Sequence, residues 1–129
     1  MPKVRDTSMI VVGALGFVAV AAGGLGTHVL DPYLTPEEKK AWGLAMQFNL
    51  VHAAALMAVF ATLKNVDPDS SASRNLTRSF YLLLAGTVLF AGSIYAMCLG
   101  APPKTVGPLT PVGGITLMLG WIFTALAGF

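Results

Sequence analysis

Four apolar stretches, spanning positions 9–30, 41–63, 80–99 and 111–128, alternate with four short polar segments that hold every charged residue of the chain. A hydrocarbon core about 30 Å thick takes about 20 helical residues, so each stretch is long enough to cross it once. The pattern predicts an all-α membrane protein: four transmembrane helices in a compact antiparallel bundle, with residues 1–129 as one integral membrane domain.

The second stretch differs from the others. Elsewhere the apolar positions are mostly Ala, Leu, Val and Gly, but here Gln47, Asn49 and His52 interrupt the run. Asn49 and His52 are three residues apart, so on a helix they share a face with Ala45 and Leu56, while Phe48, Val51 and Met57 turn elsewhere. That face is expected to look inward, with the other helices built around it.

The helix boundaries are written in local signals. The first stretch carries Gly13, Gly16, Ala19, Gly23 and Gly26 at spacings of three and four, a smooth stripe on which a neighbouring helix can pack. His28 closes it, just before Asp31 and Pro32. Ala19-Val20-Ala21 imitates a signal-peptidase site, but the apolar run continues past it to Leu30 and is read as a span. Thr35, Pro36 and Glu38 form a capping box with proline at the first helical position. Lys39 and Lys40 are placed to snorkel, and Trp42 falls where an interfacial aromatic is expected. The polar segment over 64–79 reads as a flexible surface loop, and its Asn75-Leu76-Thr77 sequon as accidental. In the third stretch Gly92, Ala96 and Gly100 form a small-residue stripe at i+4 spacing, also expected to pack tightly. Pro102, Pro103, Gly107 and Pro108 make a rigid turn carrying Lys104, and Thr110 before Pro111 predicts the N-cap of a fourth helix containing Gly113, Gly114 and Gly120.

Composition agrees with the pattern. The chain has 129 residues, 55% hydrophobic and 11% charged, and a mean hydropathy of +0.72, too apolar for a soluble domain of this size. A net charge of +2 from scattered basic residues offers no footprint for nucleic acid. Cys98 has no second cysteine to pair with and reads as a small apolar packer. Lys3, Arg5, Lys64, Arg74 and Arg78 fall on one side of the predicted bundle, against Lys39, Lys40 and Lys104 on the other. The positive-inside bias therefore places both termini in the cytoplasm.

Depth follows from a rise of about 1.5 Å per residue. Counted from the outer edge, His28 lies at about 3 Å, Tyr95 at about 6 Å, Gln47 and Ser93 at about 9 Å, Asn49 at about 12 Å and His52 at about 16 Å. With Thr110 at the start of the fourth helix, these residues form the candidate ligand-binding or polar-core layer. In one reading they hydrogen-bond across helices and fix the bundle. In the other, His52 is a protonatable group oriented by Asn49 that holds a small polar ligand or relays a proton. A haem between His28 and His52 is disfavoured by their separation of about 13 Å in depth. Zinc is disfavoured by the lack of carboxylate or thiolate ligands at suitable spacing. All six acidic residues lie outside the apolar stretches, so no Ser/His/Asp triad can be assembled there and neither metal nor cofactor is expected.

Four words of sequence then carry a resemblance: Gly23-Gly24-Leu25-Gly26-Thr27-His28, Phe48-Asn49-Leu50-Val51-His52-Ala53, Leu89-Phe90-Ala91-Gly92-Ser93-Ile94-Tyr95, and Thr110-Pro111-Val112-Gly113-Gly114 ahead of Gly120-Trp121. In order and spacing they resemble the DUF423 family of small membrane proteins, related to the transmembrane protein 256 group. His28 and His52 match the family's pattern. Gly24, Leu25 and Thr27 stand where the family usually has alanine, phenylalanine and alanine, and Phe48 and Asn49 where it more often has tyrosine and glutamine. The resemblance implies four spans and a bacterial inner-membrane location, and transfers no reaction. The expectation for function is a non-enzymatic accessory, assembly or interaction subunit. It would sit among membrane lipid and pack, through glycine faces including Gly16, Gly23, Gly26 and Gly92, on another membrane protein or on itself as a homo-oligomer. The alternative is a small oligomeric carrier or ligand-binding protein using the layer around His52.

Overall fold

The computed structural model describes residues 2–129, with side chains described from Thr7 onward. Lys3 and Arg5, which carry part of the orientation argument, thus have side chains outside the described residues. The chain forms α1 (Pro2–His28), a 3-10 turn (Asp31–Tyr33), α2 (Pro36–Leu63), α3 (Ser71–Cys98), the single-turn α4 (Pro103–Val106) and α5 (Leu109–Leu126). Four helical segments are long and apolar enough to cross a membrane: Thr7–His28, Pro36–Leu63, Ser71–Cys98 and Pro103–Leu126. Among the described residues there is no strand.

The α2 start follows the sequence signal. Thr35 Oγ1 accepts from the Glu38 amide at 3.1 Å, and the Thr35 amide donates back to Glu38 Oε1 at 2.9 Å, closing the capping box. Two other boundaries differ from expectation. The surface loop expected over 64–79 ends at Ser70, whose hydroxyl caps α3 by accepting from the Ser73 amide at 3.1 Å. The nine polar-looking residues from Ser71 to Ser79 are helical because Leu76 and Ser79 turn into the core, Ala72, Ser73 and Asn75 are half-buried, and Ser71, Arg74, Thr77 and Arg78 face outward. Thr110 is not an N-cap. The α4 turn hands the chain to α5 at Leu109, so Thr110 sits inside the first turn and its hydroxyl turns to α3 instead.

Neighbouring helices run antiparallel. Gly26 meets Trp42 and Gly23 meets Met46 across α1 and α2, Phe48 stacks on Phe90 across α2 and α3, and Gly120 meets Leu83 across α3 and α5. The main apolar core draws on all four spans, with Val12, Leu56, Phe60, Phe80, Leu83 and Leu117 among its members. The tightest contact is α3 against α5. Ser79, Leu83, Gly86, Phe90 and Ser93 alternate at spacings of four and three on α3, and Thr110, Gly113, Leu117, Gly120 and Thr124 do so on α5. Each large residue faces a glycine. A Cβ on Gly86 would lie 2.8 Å from the Leu117 amide nitrogen, one on Gly120 2.7 Å from Leu83 Cδ2, and one on Gly113 2.8 Å from Phe90 Cα. Hydroxyl pairs close both ends, Ser79 with Thr124 at 2.6 Å and Ser93 with Thr110 at 2.5 Å.

The expected glycine faces are therefore only partly used. Gly23, Gly26, Gly113 and Gly120 pack as expected. A Cβ on Gly114 would make only an ordinary 3.9 Å contact with Phe90, and Gly13, Gly16 and Gly92 have nothing within 4 Å. The stripe of Gly92, Ala96 and Gly100 does not pack, because the seam of α3 runs through Gly86 and Gly100 lies past the helix end in a left-handed turn, φ 108°. Trp42 is likewise not an interfacial anchor. Its ring is buried over Gly26, and its indole N–H donates to the Ala22 carbonyl at 2.7 Å, a partner that only a side-chain-free surface lets it reach.

These contacts separate the glycines experimentally. Gly86→Ala, Gly113→Ala and Gly120→Ala should each destabilise the detergent-solubilised protein by about 1–3 kcal/mol through overpacking. Gly16→Ala and Gly92→Ala should be neutral or stabilise by up to about 1 kcal/mol, since helix propensity improves and nothing is displaced. Thermal unfolding of the five variants is the measurement.

Candidate functional site

The polar residues of α2 divide between two clusters. Ala45, Asn49, His52 and Leu56 form the inward face, as their spacing predicts, and all four are buried. Asn49 is 2% exposed and His52 6%. Yet no hydrogen bond joins Asn49 to His52, because each turns to a different helix.

His52 faces α5. The Trp121 indole N–H donates to His52 Nε2 at 3.1 Å, and with Nε2 acting as acceptor, Nδ1 carries the ring proton and donates to the Phe48 carbonyl at 2.8 Å. The neutral ring thus has both nitrogens engaged, and its tautomer is held by Phe48 and Trp121 rather than by Asn49. Phe48 lies along one face of the imidazole, with centroids 5.7 Å apart, and Phe90 stacks on Phe48 at 4.4 Å. The result is an aromatic file linking α5, α2 and α3.

Asn49 faces α3. Its Nδ2–H donates to the Tyr95 hydroxyl at 3.1 Å, while Asn49 Oδ1 is buried without a partner. Tyr95 turns inward instead of reaching the interface, since this bond and the Trp42 ring, 4.8 Å away, hold it there. Ser93 donates its one hydroxyl proton to the Phe90 carbonyl at 3.0 Å and accepts from the Thr110 hydroxyl, so it clasps α3 to α5. Gln47 does not join the layer. Two residues from Asn49 on a helix is about 200° of rotation, so its side chain is exposed on the outer face of α2. His28 is exposed at the end of α1 and also lies outside both clusters. Asn49 lines a cleft of about 150 Å³ between α1 and α3, with Leu15 and Val18 on one side and Thr87, Val88, Ala91, Gly92 and Tyr95 on the other.

Trp121, Ser79 and Thr124 are the partners that sequence reasoning passed over. The hydroxyl residues had a signal available: Ser79, Gly86 and Ser93 repeat at heptad spacing, as do Thr110, Leu117 and Thr124. Trp121 had none, for an indole in an apolar run reads as a lipid-facing residue, and the residue is in fact 45% exposed, with its N–H turned inward to His52.

The family model for the protein of unknown function DUF423 matches residues 22–114. The chain belongs to the DUF423 family. A UPF0382 membrane protein of Staphylococcus aureus is 30% identical over 121 residues, 93% of each chain. Another from Schizosaccharomyces pombe is 34% identical over 115 residues, covering 82% of this chain and 87% of its own. The UPF0382 membrane protein YwdK of Bacillus subtilis is 29% identical over 119 residues, 92% of this chain and 93% of its own. No solved structure matches. In this DUF423 protein the matched segment contains Asn49, His52, Tyr95, Ser93 and Thr110, while the Trp121 partner of His52 lies beyond it.

The split between the clusters is testable by double-mutant cycles of unfolding in detergent. His52 with Trp121, using His52→Leu and Trp121→Phe, should couple by about 0.6–2 kcal/mol. His52→Leu with Asn49→Leu should couple less than His52 with Trp121, since no hydrogen bond joins the two side chains and each bonds a different helix.

Proposed function

We propose that this DUF423 protein is a non-enzymatic accessory or assembly subunit of a bacterial inner membrane, with both termini cytoplasmic, that binds another membrane protein or a second copy of itself. The observation that carries the reading is the contrast between its interior and its surface. Inside, His52, Ser79, Ser93, Thr110, Trp121 and Thr124 are all consumed in holding the helices together. Outside, Gly13, Gly16 and Gly92 leave the backbones of α1 and α3 open to close approach, a feature the bundle itself does not use. A carrier centred on His52 has less support, because a ring with both nitrogens bonded offers a solute neither a donor nor an acceptor. Paired carboxylates or a nucleophile beside a base, which an enzyme reading needs, are not gathered around it.

Purification in mild detergent after crosslinking in native membranes tests the proposal. The expected outcome is a species larger than one chain, containing a second copy or another membrane protein. A strictly monomeric particle with no companion contradicts it.

A further inference from the structure

Two amides of α2 are left over once the bundle has formed. Asn49 is buried, gives Nδ2–H to Tyr95, and has no partner for Oδ1. Gln47 is exposed on the outer face and makes no hydrogen bond at all. Gln47 lies seven residues beyond Lys40, about 10 Å along the helix, and so within the apolar part of the span. An amide facing hydrocarbon without a partner is costly, and such groups draw helices together.

The two amides match in height and chemistry. Separated by two residues, they differ in depth by about 3 Å and project from opposite faces of α2, Gln47 outward and Asn49 inward beneath the α1–α3 cleft. The leftover end of Asn49 is an acceptor, and the Gln47 amide supplies N–H donors. With the Asn49 amide turned round, the leftover end is a donor and the Gln47 carbonyl serves equally well. The cleft over Asn49 is lined by no charged side chain, which suits a neutral amide, and Gly92 at its rim leaves room for a neighbouring helix. Beyond Gln47 the outer face of α2 continues through the exposed Leu50 and Val51 to Ala54, Ala58 and Ala61, where it is smooth enough for that neighbour to come close.

We infer that Gln47 of one copy enters the α1–α3 cleft of a second copy and pairs there with the free end of the Asn49 amide. The contact is head-to-tail, each copy giving one Gln47 and receiving another. Because the Asn49 oxygen is buried, entry requires the cleft to widen, and α1, which packs chiefly on α2, is the wall that can yield. This rests on the reading of the protein as an interaction subunit and names its partner as the same chain.

The test uses two differently tagged full-length chains co-expressed in native membranes, both carrying Cys98→Ser, one with Val51→Cys, one turn from Gln47 on the same exposed face, and the other with Val88→Cys. Oxidation should give a mixed crosslink that is lost when either cysteine chain is expressed alone. Separately, Gln47→Leu in the otherwise natural chain should weaken self-association about three- to tenfold, the effect of one interhelical hydrogen bond. Its unfolding temperature should not fall, because Gln47 supports nothing within its own bundle. Copies that associate without the mixed crosslink, or equally well with Gln47→Leu, would overturn the inference and leave the interaction-subunit reading standing. So would single copies bound to a different membrane protein. A strictly monomeric chain with no companion would overturn both.

Discussion

Gly113 can rest on the Phe90 backbone only because it has no side chain, and the register of the bundle depends on contacts of this kind. In lipid, apolar side chains gain little from leaving their surroundings, so helices are held by close packing and by hydrogen bonds rather than by release of water. The α3–α5 seam supplies both. Leu83 and Leu117 each enter the space opposite a glycine, Gly113 lies against the Phe90 backbone, and the hydroxyl pairs at the two ends prevent the helices from sliding past each other. With α5 seated, Leu117 reaches the shared core with Val12, Leu56 and Phe80, and Trp121 is brought over His52.

The polar residues then act as a second level of selection on the same arrangement. Each interhelical hydrogen bond in a membrane contributes about 0.6–2 kcal/mol, too little to assemble a bundle but enough to favour one register over a slipped one. Trp42 ties α2 to α1, Tyr95 ties α3 to α2, and Trp121 ties α5 to α2. Each of these three bridges uses an indole N–H or a phenol hydroxyl at the end of a bulky ring. The ring fills space while its one polar atom finds a buried partner. The unpaired end of Asn49 stands apart from this rule, and it does so beside the least supported helix. Because α1 packs chiefly on α2, a cleft remains between α1 and α3 beside Asn49.

Much of this was legible in the order of residues. Four apolar stretches of membrane length, the Thr35 to Glu38 capping box, and the inward face of Ala45, Asn49, His52 and Leu56 are local properties, set by periodicity and backbone hydrogen bonding within one helix. Membership of the DUF423 family was legible for the same reason, since the family's words are contiguous. What pairs with what was not. Small residues mark every surface on which a helix can pack, and only the assembled bundle shows that α3 turns Gly86 to its neighbour and leaves Gly92 open, because a rotation of one helix by about a third of a turn exchanges the two. The partners of His52 and Asn49 were decided at the same level. Their shared face leaves two neighbouring helices within reach, and the tilt and rotation of α3 and α5 deliver Tyr95 to one and Trp121 to the other. Sequence determined the helices and the faces they bury, through interactions that span a few residues. Tertiary structure alone decided the pairings, since they depend on the distance between backbones that no single helix encodes.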